Sequence, residues 1–516
     1  MRADVILRGG RVLTLDAERP RARSVAVGKG RIVAVGEDDL DELCGPATRV
    51  IDLAGRAVVP GFVDAHIHFG AFALGLKQVD LDSAATLEDG LRQVAAFAQR
   101  LPEERWVRGR GWDRNRWGRL PTASELDRAT GPRPAVLSSH DGHSLWLNGA
   151  AMSAVGLNAQ SVAPAGGMIE RDVSGSPSGV VFENAQELVR KHAPEPTEQE
   201  LTEAIRQALP LAARAGLTGI HNLEDEHSLA AFRALEAAGE LALRVYHGVR
   251  RGLLRRAAEL GLRTGAGSGL VRVGPVKLFS DGALGSRTAH MLEPYVGSTH
   301  QGVPTLTIDQ VVDDLRVAGD VGLDVAVHAI GDAAVRMVLD AVEIARPSRL
   351  VRIEHAQLVH PDDVPRFAQL GVIASMQPIH AIADWHAADA HWGGRARHAY
   401  AWRSLLDAGA VLAFGTDAPV ERLEPLLNLH AAITRVDPHG QPPGGWYAEQ
   451  RLTLDEAVRA YTVGSATAER AQERRGRLAP GMDADLVVLD KPLQAGALLE
   501  TQVGLTMVGG HVVHEA

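Results

Sequence analysis

Two textures of apolar and polar positions divide this chain. Residues 1 to about 58 carry short runs, DVILRGG, RVLTLD, SVAVGKGRIVAVGE and RVIDLAGRAVVPG, each cut by a glycine-containing turn. Runs of that length and composition predict β-strands joined by tight turns. The same texture returns at the far end in ADLVVLD, VGLTMVGG and HVVHEA. Strands at both ends leave fewer unpaired edges if they pair with each other, so residues 1–58 and 476–516 are expected to form one composite β-sandwich domain.

Between them, over 59–475, near-continuous apolar segments alternate with long Ala/Leu/Arg-rich helical stretches. VVPGFVDAHIH, LTGIHNL, LRVYHGV, GPVKLFSDG, DVAVHAIGD, VRIEHAQL, GVIASMQP and VLAFGTDAP make eight such segments. Strands apolar on both faces belong in a parallel sheet covered by helices. Strand alternating with helix over this length predicts an α/β fold, a (β/α)8 barrel, with a doubly wound open sheet as the weaker alternative. One connection breaks the rhythm. From about Leu74 to Ala215 the chain separates the first and second segments by far more than an ordinary crossover. It carries its own turns and helices, and is expected to be an inserted subdomain beside the barrel mouth, where substrate shape is read.

At 516 residues there is material for one large core and a smaller one. The net charge of −10 is spread along the chain with no basic block, which argues against nucleic acid or an anionic membrane as partner. The stretch RWVRGRGWDRNRWGRL is basic and aromatic, but in an acidic chain it is expected to be a loop packed on the barrel rim. Cys44 is the only cysteine, so an intramolecular disulfide is impossible and a thiolate metal site disfavoured. The N-terminus lacks a signal-peptide apolar core and no run reaches membrane-spanning length, so the expected location is cytoplasmic.

Polar residues collect where a barrel places its chemistry, at the C-terminal ends of the predicted strands. His66 and His68 end strand one, Lys277 and Asp281 lie at strand four, His328 ends strand five, His355 strand six and Asp417 strand eight. Residues i and i+2 of an extended chain point to one side, so His66 and His68 face the same way. Four imidazoles and a carboxylate are donors suited to zinc or another divalent transition metal, one or two ions per chain. Such an ion brings a bound water to hydroxide near neutral pH and polarises a carbonyl. Singly, each residue has a plainer reading. A lone strand-end histidine is more often a hydrogen-bonded structural residue, and Asp417 in GTDAP could cap a helix. The set, in this order, favours the metal.

With those residues in view, the chain resembles the amidohydrolase superfamily of metal-dependent hydrolases. PGFVDAHIH is similar to its strand-one signature, VHAIGD and RIEHAQ to its strand-five and strand-six histidines, and FGTDAP to its strand-eight aspartate. The flanking β segments and GRLAPGMDADLVVLD are similar too. VKLFSDGALGSRTA, SHDGHSLWLN and GVVFENA resemble the branch that contains N-substituted formamide deformylases.

The resemblance implies that His66, His68 and Asp417 hold the more buried ion and His328 and His355 the more exposed one. It puts Lys277 where relatives with two metals carry a lysine carboxylated by carbon dioxide, whose carbamate bridges both ions. An unmodified Lys277 paired with Asp281 or with a substrate carboxylate is the alternative. Asp417 is then also catalytic, taking a proton as hydroxide attacks and delivering it to the leaving nitrogen. His143, Arg287 and Trp112 are candidate substrate contacts that stabilise the oxyanion, with Asp281 beside them. Arg287 and Asp281 forming a structural ion pair is the alternative.

His221 is a further pocket candidate. His380, His386, His391 and His398 crowd the stretch after strand seven, expected to be an exposed lid. The implied function is hydrolysis of a non-peptide carbon–nitrogen bond in a small N-substituted amide or formamide. The alternatives are hydrolysis of an ester, lactone or cyclic imide by the same site and, less favoured, a non-catalytic scaffold. The expected partner is the small-molecule substrate, with no nucleic acid and no membrane, and a homodimer as the commonest assembly of soluble chains.

Overall fold

The computed structural model describes residues 2–102, 105–194, 196–267 and 269–516. All eight apolar segments are strands: β1 (Phe62–Ile67), β2 (Leu217–Asn222), β3 (Arg244–Arg250), β4 (Val271–Phe279), β5 (Val325–Ala329), β6 (Val351–His355), β7 (Ile373–Met376) and β8 (Leu412–Phe414). They form one sheet in chain order, each strand parallel to the next. Just past β8 the last strand meets the first. Asp417 N–H donates to His66 O and His68 N–H to Ala418 O, both at 2.8 Å. These two bonds draw the ends together at the C-terminal mouth, and the fold is the expected (β/α)8 barrel.

Every residue of β1, β2, β5, β6, β7 and β8 is buried, as a sheet covered by helices requires. The helix Glu198–Arg214 shows how the cover forms. A capping box of Thr197 and Glu200 starts it. Its apolar stripe of Leu201, Ala204, Ile205, Ala208, Leu209 and Ala212 then packs into the core shared with the strands. Helices Ile308–Val321 and Asp332–Ala345 bury similar stripes in the same core.

Both chain ends contribute strands to a second β layer. A four-stranded sheet comes from the first 52 residues. A six-stranded sheet joins Leu486–Leu489 antiparallel to Ala57–Pro60, so the termini pair directly. The two sheets share an apolar core that includes Leu7, Val25, Val58, Leu486 and Met507. Between β1 and β2 the inserted stretch makes a further six-stranded sheet, Val79–Asp80 at one edge and Gly167–Arg171 at the other. RWVRGRGWDRNRWGRL does meet the rim, where Asn115 donates to Gly285 O at 3.1 Å, but it is regular structure and not a loop. It supplies strand Val107–Trp112 and helix Arg114–Trp117 to the insert, with Trp112 and Trp117 in the insert's own core. Among the described residues no helix is long and apolar enough to cross a membrane.

Closure of the mouth depends on Gly415. A Cβ there would lie 2.5 Å from His66 N and 2.6 Å from Asp64 Oδ1, closer than packed atoms allow. Gly415→Ala is therefore expected to destabilise the fold by about 1–3 kcal/mol, the usual cost of overpacking, read as a lower urea midpoint. An unchanged midpoint would show that β8 does not press on β1 as described.

Candidate active site

A cavity of about 1250 Å³ lies between the barrel mouth and the insert. His66, His68, Lys277, His328, His355 and Asp417 line it from the barrel, and His140, His143 and Glu183 from the insert. Two of the barrel residues have unusual backbones: His355 at φ 72° and Asp417 at φ 60°. A non-glycine residue in that left-handed region costs on the order of 1–3 kcal/mol, and such strain concentrates at functional sites.

Asp417 is the hub. Its Oδ1 lies 3.5 Å from His66 Nε2 and 3.3 Å from His68 Nε2, and its Oδ2 3.9 Å from His355 Nδ1. His66, His355 and Asp417 each present one ligand-type atom within 4.8 Å of the others. The His328 ring is 4.6 Å from that of His355. Residues remote in sequence thus converge on one point.

Protonation suits a cation there. Burial, assisted by Lys277, pushes His66 down to about 4. It also holds His328 and His355 well below the ordinary imidazole range, so all three are neutral and carry a free lone pair. Burial would raise Asp417, but His66 and His68 outweigh it and keep the carboxyl below its usual range. Burial lowers Lys277 to about 8.

Four buried atoms in this region, His66 Nε2, Asp417 Oδ1, Lys277 Nζ and His380 Nε2, have no hydrogen-bond partner among the described residues. Each such orphan costs about 1–3 kcal/mol, and folded chains rarely leave several together. Imidazole nitrogens and a carboxylate left unpaired in this way fit a divalent ion of the zinc type.

A second layer orients the first. His66 Nδ1 lies 2.6 Å from Glu354 Oε2, and Glu354 Oε1 accepts from Arg352 Nε. Arg352 also reaches His221 Nδ1 at 2.8 Å and Ala65 O at 2.5 Å. Arg352 and His66 outweigh burial and hold Glu354 well below the usual carboxylate range. His221 is consequently a barrel-interior residue bonded to Arg352, not a pocket residue.

His380 departs from the expected lid. It lies in the first turn of helix Pro378–Trp392, buried, with Nε2 3.7 Å from Asp417 Oδ2 and its ring stacked on His355. His386 stacks on Trp385 and His391 is half-buried on the same helix, while His398 ends the following short turn. The stretch after β7 is an ordered helix whose start reaches the site. Phe279 was equally unforeseen: 47% exposed, its ring stands 5.3 Å from that of His328 with Lys277 Nζ 5.0 Å from its centroid.

Of the four expected substrate contacts, His143 reaches the site. Its ring is 5.2 Å from that of His328, and its Nδ1 pairs with Glu183 Oε2 at 2.8 Å. Burial would lower His143, but the Glu183 charge outweighs it and raises the imidazole to about 9. Trp112 and Asp281 also line the cavity, but their polar atoms have partners within the protein, and Arg287 lies outside it. The Trp112 indole N–H donates to Leu137 O at 2.9 Å and its ring packs beside Trp117 and Trp146, so no donor is left for substrate. Asp281 is fully buried and accepts from the backbone N–H groups of His290, Ile330 and Gly331. It ties the loop after β4 to the loop after β5. Arg287 is exposed at φ 58° and borders no part of the cavity. Among the described residues neither Arg287 nor Lys277 forms an ion pair with Asp281; the neutral His328 lies 3.5 Å from it.

The chain is similar to known proteins over nearly its whole length. The family model described as the amidohydrolase family matches residues 49–514. YtcJ of Bacillus subtilis is 33% identical over 99% of this chain and 99% of its own length. The N-substituted formamide deformylase of Arthrobacter pascens is 30% identical over 99% of this chain and 98% of its own. Among solved structures, an uncharacterised metal-dependent hydrolase from Pyrococcus furiosus superimposes with a TM-score of 0.75 at 31% identity, covering 94% of this chain and 99% of that one.

Proposed function

The chain belongs to the amidohydrolase family and is a metal-dependent hydrolase, and from that premise we propose that it cleaves the carbon–nitrogen bond of a small N-substituted amide or formamide. His66, His68, Lys277, His328, His355 and Asp417 would hold one or two zinc-type ions. The observation that carries the reading is the set of unpartnered buried donors around Asp417. The likeness to a deformylase over nearly the whole chain supports the bond class. A bound ion would supply Lewis acidity, making water acidic near neutral pH and polarising a carbonyl oxygen.

The chain's own residues do the rest. Asp417, ionised and with Oδ1 free, takes a proton as water adds to the carbonyl carbon and returns it to the departing nitrogen. His143, cationic at neutral pH and beside His328, donates to the carbonyl oxygen as negative charge develops. Glu354 keeps the His66 proton on Nδ1 and so leaves Nε2 as a ligand. Lys277, orphaned and lowered by burial, is suited to carboxylation, which would turn a repelling ammonium into an anionic ligand.

Treatment with a chelator is expected to abolish turnover and added zinc to restore it, with one or two ions per chain by elemental analysis. Full activity in a preparation shown to be metal-free would overturn the mechanism. A panel of N-substituted formamides, amides, lactones and cyclic imides reads the bond class. Preference for lactones or imides would keep the site and replace the substrate.

A further inference from the structure

Glu183 has no part in the reaction as described above, yet its placement is costly. It ends the insert strand Pro177–Glu183 with φ 49° and ψ −130°, a conformation unfavourable to any residue with a side chain. Its side chain is only 6% exposed, and a buried carboxylate persists only where its charge and lone pairs are used.

Both oxygens are used, across two parts of the molecule. Oε2 accepts from His143 Nδ1 at 2.8 Å, and Oε1 accepts from the Thr288 hydroxyl. Thr288 lies in the loop after β4, where its Oγ1 also meets Ser286 Oγ at 2.7 Å and accepts from Ala283 N–H at 3.0 Å. His143 is fixed at its backbone as well: its N–H donates to Asp141 Oδ1 and its carbonyl accepts from Glu183 N–H, each at 3.0 Å. The imidazole is thereby held at the main chain and at Nδ1. Its remaining nitrogen, Nε2, has no partner among the described residues, and the residue lines the cavity wall beside His328.

Resting on the function proposed above, we propose that Glu183 is the positioning residue for His143. It fixes the ring so that Nε2 meets the carbonyl oxygen of the bound amide, and through Thr288 it locks that contact to the strand-four loop of the barrel. Donors held in place before the reaction stabilise developing charge far better than mobile ones, so the effect should fall on turnover more than on ground-state binding.

The test compares Glu183→Ala, Glu183→Gln, His143→Asn and the Glu183→Ala/His143→Asn double variant. Glu183→Ala is expected to lower kcat by roughly 100-fold with KM changed less than about threefold, and Glu183→Gln to recover part of the loss. If Glu183 acts through His143, the double variant should be no slower than His143→Asn alone. Zinc content should match the wild type throughout, and thermal melts separate misfolding from mispositioning. Two readouts do not need the substrate. Inorganic phosphate, a tetrahedral oxyanion, should bind the zinc-loaded Glu183→Ala protein about tenfold more weakly than wild type, matching the His143→Asn deficit. In ring-15N-histidine NMR, the hydrogen-bonded Nδ1–H resonance that His143→Asn removes should also be lost in Glu183→Ala. Additive losses in the double variant, or unchanged phosphate affinity with an intact His143 resonance, would overturn the role. A wild type inert toward the whole panel would instead count against the function proposed above and leave the phosphate and NMR results to decide on Glu183.

Discussion

Asp417→Asn is expected to lower turnover at least about a thousandfold, roughly 4 kcal/mol of transition-state stabilisation. General acid–base transfer alone contributes about 10²–10⁴-fold, and loss of the charge should weaken ion binding as well. The substitution is informative because of where it sits. At φ 60° a side chain is normally penalised, but asparagine is among the residues that tolerate this region best, so the backbone should hold its shape. The amide cannot take a proton, nor give His66 and His68 the charge that Oδ1 offers at 3.5 and 3.3 Å. Single-turnover kinetics on the best panel substrate, with zinc content measured alongside, separate lost chemistry from lost ion. More than a tenth of wild-type turnover in the zinc-loaded variant would remove Asp417 from the proton-transfer step.

The barrel was legible because each parallel strand reads as an unbroken apolar run, and because strand-end polar residues have one open face to point to. His66, His68, His328, His355 and Asp417 line the cavity for that reason. What stayed hidden were long-range partners. Asp281 follows β4 as a ligand would, yet its oxygens are taken by backbone N–H groups of His290 in its own loop and of Ile330 and Gly331 in the loop after β5, and nothing local in DGALGS shows this. Trp112 sits in a basic stretch that reads as a loop packed on the barrel rim, but an apolar ring with one donor is satisfied by Leu137 O inside the insert. His380 had a readable signal. Pro378 at the first helical position after β7 starts a helix at the mouth, which puts the next residues over the site. Glu354 had a weaker one: beside His355 in a strand its side chain points the other way, into the barrel, where a carboxylate demands partners.

Those partners make Glu354→Gln the more disruptive change for the fold. His66, Arg352 and Glu354 are all essentially inaccessible, and removing one member of a buried charge pair strands the other at a cost of about 3–5 kcal/mol. Arg352 would face a neutral amide oxygen in place of the carboxylate, with His221 and Ala65 O as its other partners. The same change reaches the metal site by another route. A carboxylate can only accept, which holds the His66 proton on Nδ1 and leaves Nε2 free to bind a cation. A glutamine can present its NH₂ to Nδ1, move the proton to Nε2 and close that ligand position. Metal affinity should fall by about 10–100-fold, the usual cost of losing an orienting partner.

The two effects separate in the Arg352→Met/Glu354→Leu double variant. Apolar replacement of a buried pair commonly restores stability, but it leaves His66 without its acceptor. The double variant should therefore recover most of the urea-unfolding free energy lost by Glu354→Gln, while its zinc affinity, measured against a chromophoric chelator, stays low. Recovery of both together would mean that Glu354 serves the fold alone and that His66 needs no orienting partner to act as a ligand.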